Sequence, residues 1–288
     1  MALGRRRRRS PLSRRRLDAE PTGEARPDRP ALETAPRGRG VCWNLPHLAV
    51  GRVPDVLDLR RIDAVLVDAG GVLLLPDPEP LHQFLAPFGA EPNPERVRWA
   101  HYASTRAVDR LGRVDWPAID RVVAAELGVP DEHLDAAVHV IEESYDGRPW
   151  VPIAGAAEAL RGLEAAGFPL AVVSNASGTM EAQLADHEIC SVTGGVSAKV
   201  GVVIDSAVVG VEKPDPAIFR LALDTLGVDA DRCLYVGDSV YFDVDGARAT
   251  GMQAAHLDPY CVCAIDGHPH LPEIDDLVVQ LGLLEPEA

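Results

Sequence analysis

"VLVDAGGVLLLPDP", residues 65 to 78, decides how the rest of the chain is read. An apolar run closes on Asp68, and Gly70 and Gly71 follow almost at once. An acid in that place reads as an exposed carboxylate at the carboxyl end of a buried strand. In an open parallel sheet, ligands bind beyond those strand ends. The first question is therefore whether other segments end in the same way.

They do. "IDAVLVD" (62–68), "FPLAVVSNAS" (168–177), "GVVIDS" (201–206), "RCLYVGDS" (232–239) and "QAAHLD" (253–258) are short apolar runs. Helical patterns precede three of them: "AAEALRGLEAAG", "PAIFRLALDTLG" and "FDVDGARATG", each stopped by glycine. Apolar strands alternating with helices predict an α/β fold: a Rossmann-like doubly wound parallel sheet formed by residues 59–76 and 151–288. Residues 77–150 interrupt the alternation with three or four helices and no strand, which predicts an inserted α-helical cap; long insertions of this kind commonly cover a site. "PEIDDLVVQLGLL" reads as a final helix or strand-helix piece. "TGGVSAKVG" (193–201) lacks the ending of a phosphate-binding P-loop and reads as a hairpin or flap.

Charge divides the 288 residues unevenly. Residues 1–60 hold 14 Arg against 7 Asp or Glu, and the remainder carries 14 basic against 37 acidic residues. An acidic body argues against a nucleic-acid surface on the fold, leaving only the basic N-terminal tail with the charge for one. Residues 1–58, rich in Arg and Pro and without periodicity, read as a disordered tail. Asp18, Glu20 and Pro21 stand where an export signal needs its apolar stretch, and no run approaches a membrane span. Five cysteines do not make a disulfide framework, so the reading is a cytoplasmic protein.

The polar residues closing the strands are Asp68, Ser174, Asn175 and Asp238, with Asp243 slightly further on. "VGVEKPDPAIF" sets Lys213 in a loop ahead of a helix starting near Pro214. A single acid at a strand end is equally a helix N-cap. Three strand ends and a lysine in this order are more specific. The chain has only two lysines, Lys199 and Lys213, against 26 arginines, which suggests that Lys213 needs a compact ammonium. Asp243 and Asp245 could instead be acids favoured by a helix dipole, and Asp245 is read as structural.

"VLVDAGGVL", "VVSNAS", "EKPDPAIF" and "YVGDSVYFDVDGARATGM" together resemble the four ordered motifs of the haloacid dehalogenase-like hydrolases, over roughly residues 61–260. The helical insertion matches the cap that follows the first motif in that family. The resemblance implies Asp68 as a nucleophile forming an aspartyl intermediate. It implies Lys213 holding the attacking carboxylate and the transferring group. Ser174, with Asn175 and the backbone after it, would bind phosphate oxygens. A magnesium ion would be held by Asp68, the Gly70 carbonyl, Asp238 and Asp243. The implied substrate is a small phosphorylated metabolite.

One position departs from the pattern. Most phosphatases of the family carry a second aspartate two residues after the nucleophile, and here that position is Gly70. Glycine keeps the metal-binding carbonyl and loses the carboxyl that protonates the leaving oxygen. General acid catalysis is worth about 10²–10⁴-fold. Three readings stay open: a good leaving group, a proton from another residue (His82 or His101), or a weak or silent relative that still binds phosphate and metal. Hydrolytic 2-haloacid dehalogenation is a further alternative, disfavoured because dehalogenases lack the acidic pair Asp238 and Asp243. The absence of lysine from 77–150 counts against a Schiff-base phosphonatase.

"YCVCAIDGHPH" gathers Cys261, Cys263, His268 and His270 in a C-x-C-x4-H-x-H spacing. Structural zinc sites usually have two or more residues between their cysteines. The segment therefore reads as a loop near the mouth of the site.

Overall fold

The computed structural model describes residues 57–144 and 149–283, so most of the expected N-terminal tail lies outside the described residues. Strands β1 (Ala64–Val67), β2 (Leu74–Pro76), β3 (Trp150–Pro152), β4 (Leu170–Ser174), β5 (Cys190–Ser191) and β6 (Ala198–Lys199) are followed by β7 (Val202–Asp205), β8 (Cys233–Gly237), β9 (Gln253–Leu257) and β10 (His270–Leu271). Six of them form one sheet in the order β10-β9-β8-β1-β4-β7, with every pairing parallel. All five apolar runs of the sequence are strands of this sheet. Its sixth strand, β10, has only two residues, too short for a pattern to betray.

Helices cover both faces. The side chains of β1 alternate: Val65 and Val67 enter the core on one face, Ala64 and Leu66 the core on the other. On the first face lie α5 (Ala156–Ala165), α6 (Met180–Asp186) and α10 (Ile274–Gln280). On the second lie α7 (Ser206–Val209), α8 (Pro216–Leu226) and α9 (Asp245–Arg248). Both faces being covered explains why the strands read as unbroken apolar runs. Leu66 is fully buried, and Leu66→Ala would cost about 2–5 kcal/mol.

Between β2 and β3 come α1 (Pro78–Leu85), α2 (Pro94–Leu111), α3 (Trp116–Glu126) and α4 (Leu134–Ser144). Three of them start alike: Asp77, Asn93 and Asp115 accept backbone N–H bonds as N-caps, and proline occupies the first turn. These helices have their own apolar core, in which Leu81, Leu85, Val97, Leu127, Leu134 and Ile141 pack together. The chain enters and leaves the insertion through antiparallel pairing of β2 with β3, Leu75 opposite Val151. That ribbon was not legible in the sequence, because three residues per strand, one of them proline, carry no periodicity.

Two readings need correction. The 193–201 stretch is not an antiparallel hairpin: β5 and β6 pair in parallel, Cys190 with Ala198, and residues 192–197 turn between them. The "FDVDGARATG" helix is broken, with a π-type turn over Val240–Val244 before α9. The wider turn carries Asp243 back toward the strand ends, where Ser239 N–H donates to its carboxylate at 3.0 Å. No helix among the described residues is long and apolar enough to cross a membrane.

Candidate active site

β1, β4 and β8 are neighbours at the centre of the sheet. Their carboxyl ends therefore bring together residues far apart in sequence. Asp68 follows β1, Ser174 ends β4, and Asp238 follows β8; all three are buried. Pairing of Val67 with Val172 places Ser174 one step beyond the level of Asp68.

Lys213 ties the acids together. Its Nζ is 2.9 Å from Asp68 Oδ2 and 2.7 Å from Asp243 Oδ1, and it donates to the Tyr235 hydroxyl at 3.3 Å. The ammonium has three protons and three acceptors. Tyr235 in turn donates to the Val173 carbonyl at 2.9 Å. Lys213 is only 2 % exposed, and a compact ammonium with three protons matches these three acceptors. Burial works against its charge, but Asp243 and Asp68 outweigh that and raise its pKa, keeping it an ammonium. Burial also raises Asp68, to about 7: Lys213 opposes the rise, and the charges of Asp243 and Asp238 add to it.

Asn175 is committed elsewhere. Its Oδ1 accepts from Lys213 N–H at 2.7 Å, and its Nδ2 donates to the Lys213 carbonyl at 3.1 Å. Its side chain thus fixes the lysine loop. Asp205 does the same for the loop after Ser174, accepting from Gly178 and Met180 N–H.

Glycines let the acids approach the backbone. A Cβ on Gly71, whose φ is +68°, would lie 2.2 Å from Asp238 Oδ2; one on Gly237 would lie 2.2 Å from Asp243 Cγ. One carboxylate oxygen each from Asp68, Asp238 and Asp243 lie within 4.8 Å of one another. Three hard oxygen donors in a pocket that only glycine permits fit a magnesium ion.

Gly70 is different. A Cβ there would meet only the Trp150 ring at 3.5 Å and His101 Cε1 at 3.9 Å, both ordinary contacts. His101, from α2, lies with Nε2 2.8 Å from Asp238 Oδ2. His82 is exposed on α1. Helix α2 also sends Asp109 to accept from Ser239 Oγ at 2.7 Å and Tyr241 N–H at 2.9 Å, and Tyr102 to donate to the Gly71 carbonyl at 2.6 Å. His101 and Trp150 also line a cavity of about 150 Å³ that runs into the helices, walled by Leu81, Val108, Ile119 and Phe242. Asp109 and Tyr102 were not foreseen; nothing in the spacing of α2 says which face turns to the sheet. Asp245 is exposed at the start of α9.

The family model of the haloacid dehalogenase-like hydrolases matches residues 62–251, which take in every residue of this constellation. The chain belongs to that family. Haloacid dehalogenase-like hydrolase domain-containing protein 3 of Mus musculus is 34% identical over 167 residues, 55% of this chain and 63% of the mouse protein. Phosphoserine phosphatase of Thermus thermophilus is 30% identical over 161 residues, 56% of this chain and 62% of that enzyme. The chain thus spans a little under two thirds of the length of these curated relatives. A HAD-hydrolase of Bacillus subtilis solved with magnesium shares the fold, with a TM-score of 0.51 at 16% identity over 77% of this chain and 99% of that one.

Proposed function

We propose that this member of the family is a magnesium-dependent phosphohydrolase that works through an aspartyl-phosphate at Asp68. The observation that carries the reading is the Asp68–Lys213–Asp243 chain at 2.9 and 2.7 Å, with Asp238 alongside. An Asp68 oxygen attacks phosphorus, and the bond from phosphorus to the leaving oxygen breaks. Lys213 offsets the charge of the attacking carboxylate and of the phosphoryl group it meets. The Ser174 hydroxyl and the backbone N–H groups after it bind phosphate oxygens. The magnesium ion, held by Asp68, Asp238 and the Gly70 carbonyl with Asp243 behind, would neutralise oxygen charge and orient the phosphate. Water then attacks the aspartyl-phosphate at phosphorus and frees Asp68.

The proton for the leaving oxygen comes from His101. This assignment rests on its place beside Gly70, where the usual carboxyl is missing. Helices α1–α4 serve as the cap. Their apolar cavity, opening at His101 and Trp150, favours a small organic phosphate whose non-phosphate part is apolar. Phosphatase relatives such as the Thermus enzyme support the reaction class.

Turnover of para-nitrophenyl phosphate, with and without magnesium, tests the proposal. Magnesium-dependent turnover that disappears in Asp68→Asn is the expected result. Retained magnesium binding without turnover would make the protein a silent relative, and metal-free chloride release from a 2-haloacid would make it a dehalogenase.

A further inference from the structure

Behind Asp238 lies a second cluster that the hydrolytic site does not use. His256, Cys263, His268 and His270 each offer one ligand atom, and these atoms all lie within 4.8 Å of one another. His256 and His270 face each other as paired residues of β9 and β10. Cys263 and His268 come from the loop between those strands. His256 and His268 are buried, and the other two are half-buried. Among the described residues, the other free cysteines, Cys190 and Cys233, are elsewhere in the sheet core.

From this geometry we propose a structural site for one zinc-class divalent ion, ligated by His256, Cys263, His268 and His270. Two of the donor separations match the edges of a tetrahedron, and all four atoms lie close enough to share one ion. With metal–nitrogen bonds of about 2.05 Å and a metal–sulfur bond of about 2.3 Å, those edges are about 3.3 Å between nitrogens and about 3.6 Å from nitrogen to sulfur. The observed separations are 3.2 Å from His256 Nδ1 to His268 Nε2, and 3.6 Å from Cys263 Sγ to His268 Nε2.

The outer contacts agree. A histidine that ligates through one nitrogen generally donates the other N–H to a carbonyl or carboxylate. His256 Nε2 donates to the Asp238 carbonyl at 3.1 Å, which leaves Nδ1 with its lone pair toward the cluster. His270 Nδ1 lies 3.5 Å from Asp258 Oδ2, which leaves Nε2 as its donor. A cysteine thiol is ordinarily protonated at neutral pH and ligates a metal as the thiolate. Binding one divalent ion therefore releases one proton, from Cys263. One thiolate and the adjacent Asp258 carboxylate balance the charge of the ion. The His256 bond to Asp238 makes this site a brace for the strand end that carries a hydrolytic acid.

Cobalt(II) titration of the full chain, stripped with chelator, reads the site directly. The expected result is one ion per chain, with the visible bands of tetrahedral cobalt, a near-ultraviolet thiolate charge-transfer band, and release of about one proton. Zinc should displace the cobalt, and excess magnesium should not. Cys263→Ser should remove the charge-transfer band and weaken zinc about 100-fold or more, the upper end of what losing an outer partner costs. Asp68→Asn should leave the band intact, separating this site from the magnesium site. His270→Gln, at a half-exposed position, should weaken zinc similarly if Cys263→Ser fails to fold. The proposal is overturned if folded wild-type protein binds no cobalt, if the bound ion shows no thiolate band, or if neither variant weakens zinc.

Discussion

Replacing His101 by glutamine isolates the proton-donor assignment. The glutamine amide can still donate to Asp238 Oδ2, which His101 reaches at 2.8 Å, so the acid cluster keeps its partner. What is lost is a group that can give up a proton. General acid catalysis is worth about 10²–10⁴-fold, or roughly 3–5 kcal/mol of barrier at about 1.4 kcal/mol per tenfold. The loss should fall on substrates that leave poorly. Turnover of an alkyl phosphate should drop by about 10²-fold or more in His101→Gln, whereas para-nitrophenyl phosphate, whose leaving group needs little protonation, should change by less than about tenfold. The second half of the test uses Gly70. Its added Cβ meets Trp150 at 3.5 Å and nothing closer, so Gly70→Asp should fold and set a carboxyl beside position 101. Alkyl phosphate turnover should recover in the double variant by about tenfold or more. Steady-state kinetics of both substrates in the three variants provides the assay. An equal loss on both substrates in His101→Gln would refute the reasoning, because it would place His101 in positioning only. No rescue by Gly70→Asp in an otherwise active enzyme would equally count against the missing-acid argument.

Three further outcomes follow from the geometry. Lys213→Met leaves Asp68 and Asp243 buried without their shared cation, and should lower unfolding free energy by about 3–5 kcal/mol in urea titration; a change under about 1 kcal/mol would show that the pair is not charged as described. Burial works to raise Asp258, but hydrogen bonds from His270, Cys263 N–H and Val262 N–H outweigh it and lower its pKa from 3.8 to about 2. A lowered carboxyl stabilises above its ordinary pKa and loses that contribution as pH falls through the folded value, so roughly 2 kcal/mol should disappear between about pH 4 and 2 in wild type and be absent in Asp258→Ala. Gly71→Ala puts a methyl group 2.2 Å from Asp238 Oδ2 at a left-handed φ, and should abolish magnesium binding measured by calorimetry, where Gly70→Ala should not.

The parts legible in sequence were those fixed by burial on both faces. Leu66, Val172 and Val236 sit in strands covered by helices on each side, so their runs are unbroken and their polar ends conspicuous. Lys213 stood out because the chain contains almost no other lysine. What stayed hidden depends on how separate elements meet. Asn175 ends a strand as Ser174 does, yet its amide turns to the Lys213 backbone, and no local pattern records that choice. Asp109 reaches the Ser239 loop across 130 residues. The cysteine and histidines after β9 looked misspaced for a metal, because their fourth member, His256, lies on the neighbouring strand and only sheet pairing brings it in.

The most direct test is to mix enzyme with magnesium and a phosphate ester, quench in acid within one turnover, and read the phosphorylated residue by peptide mass spectrometry. A single phosphoryl group on the peptide containing Asp68, absent from Asp68→Asn, is the predicted result. Turnover with no phosphoryl group on Asp68, or with the label on another residue, would contradict the account.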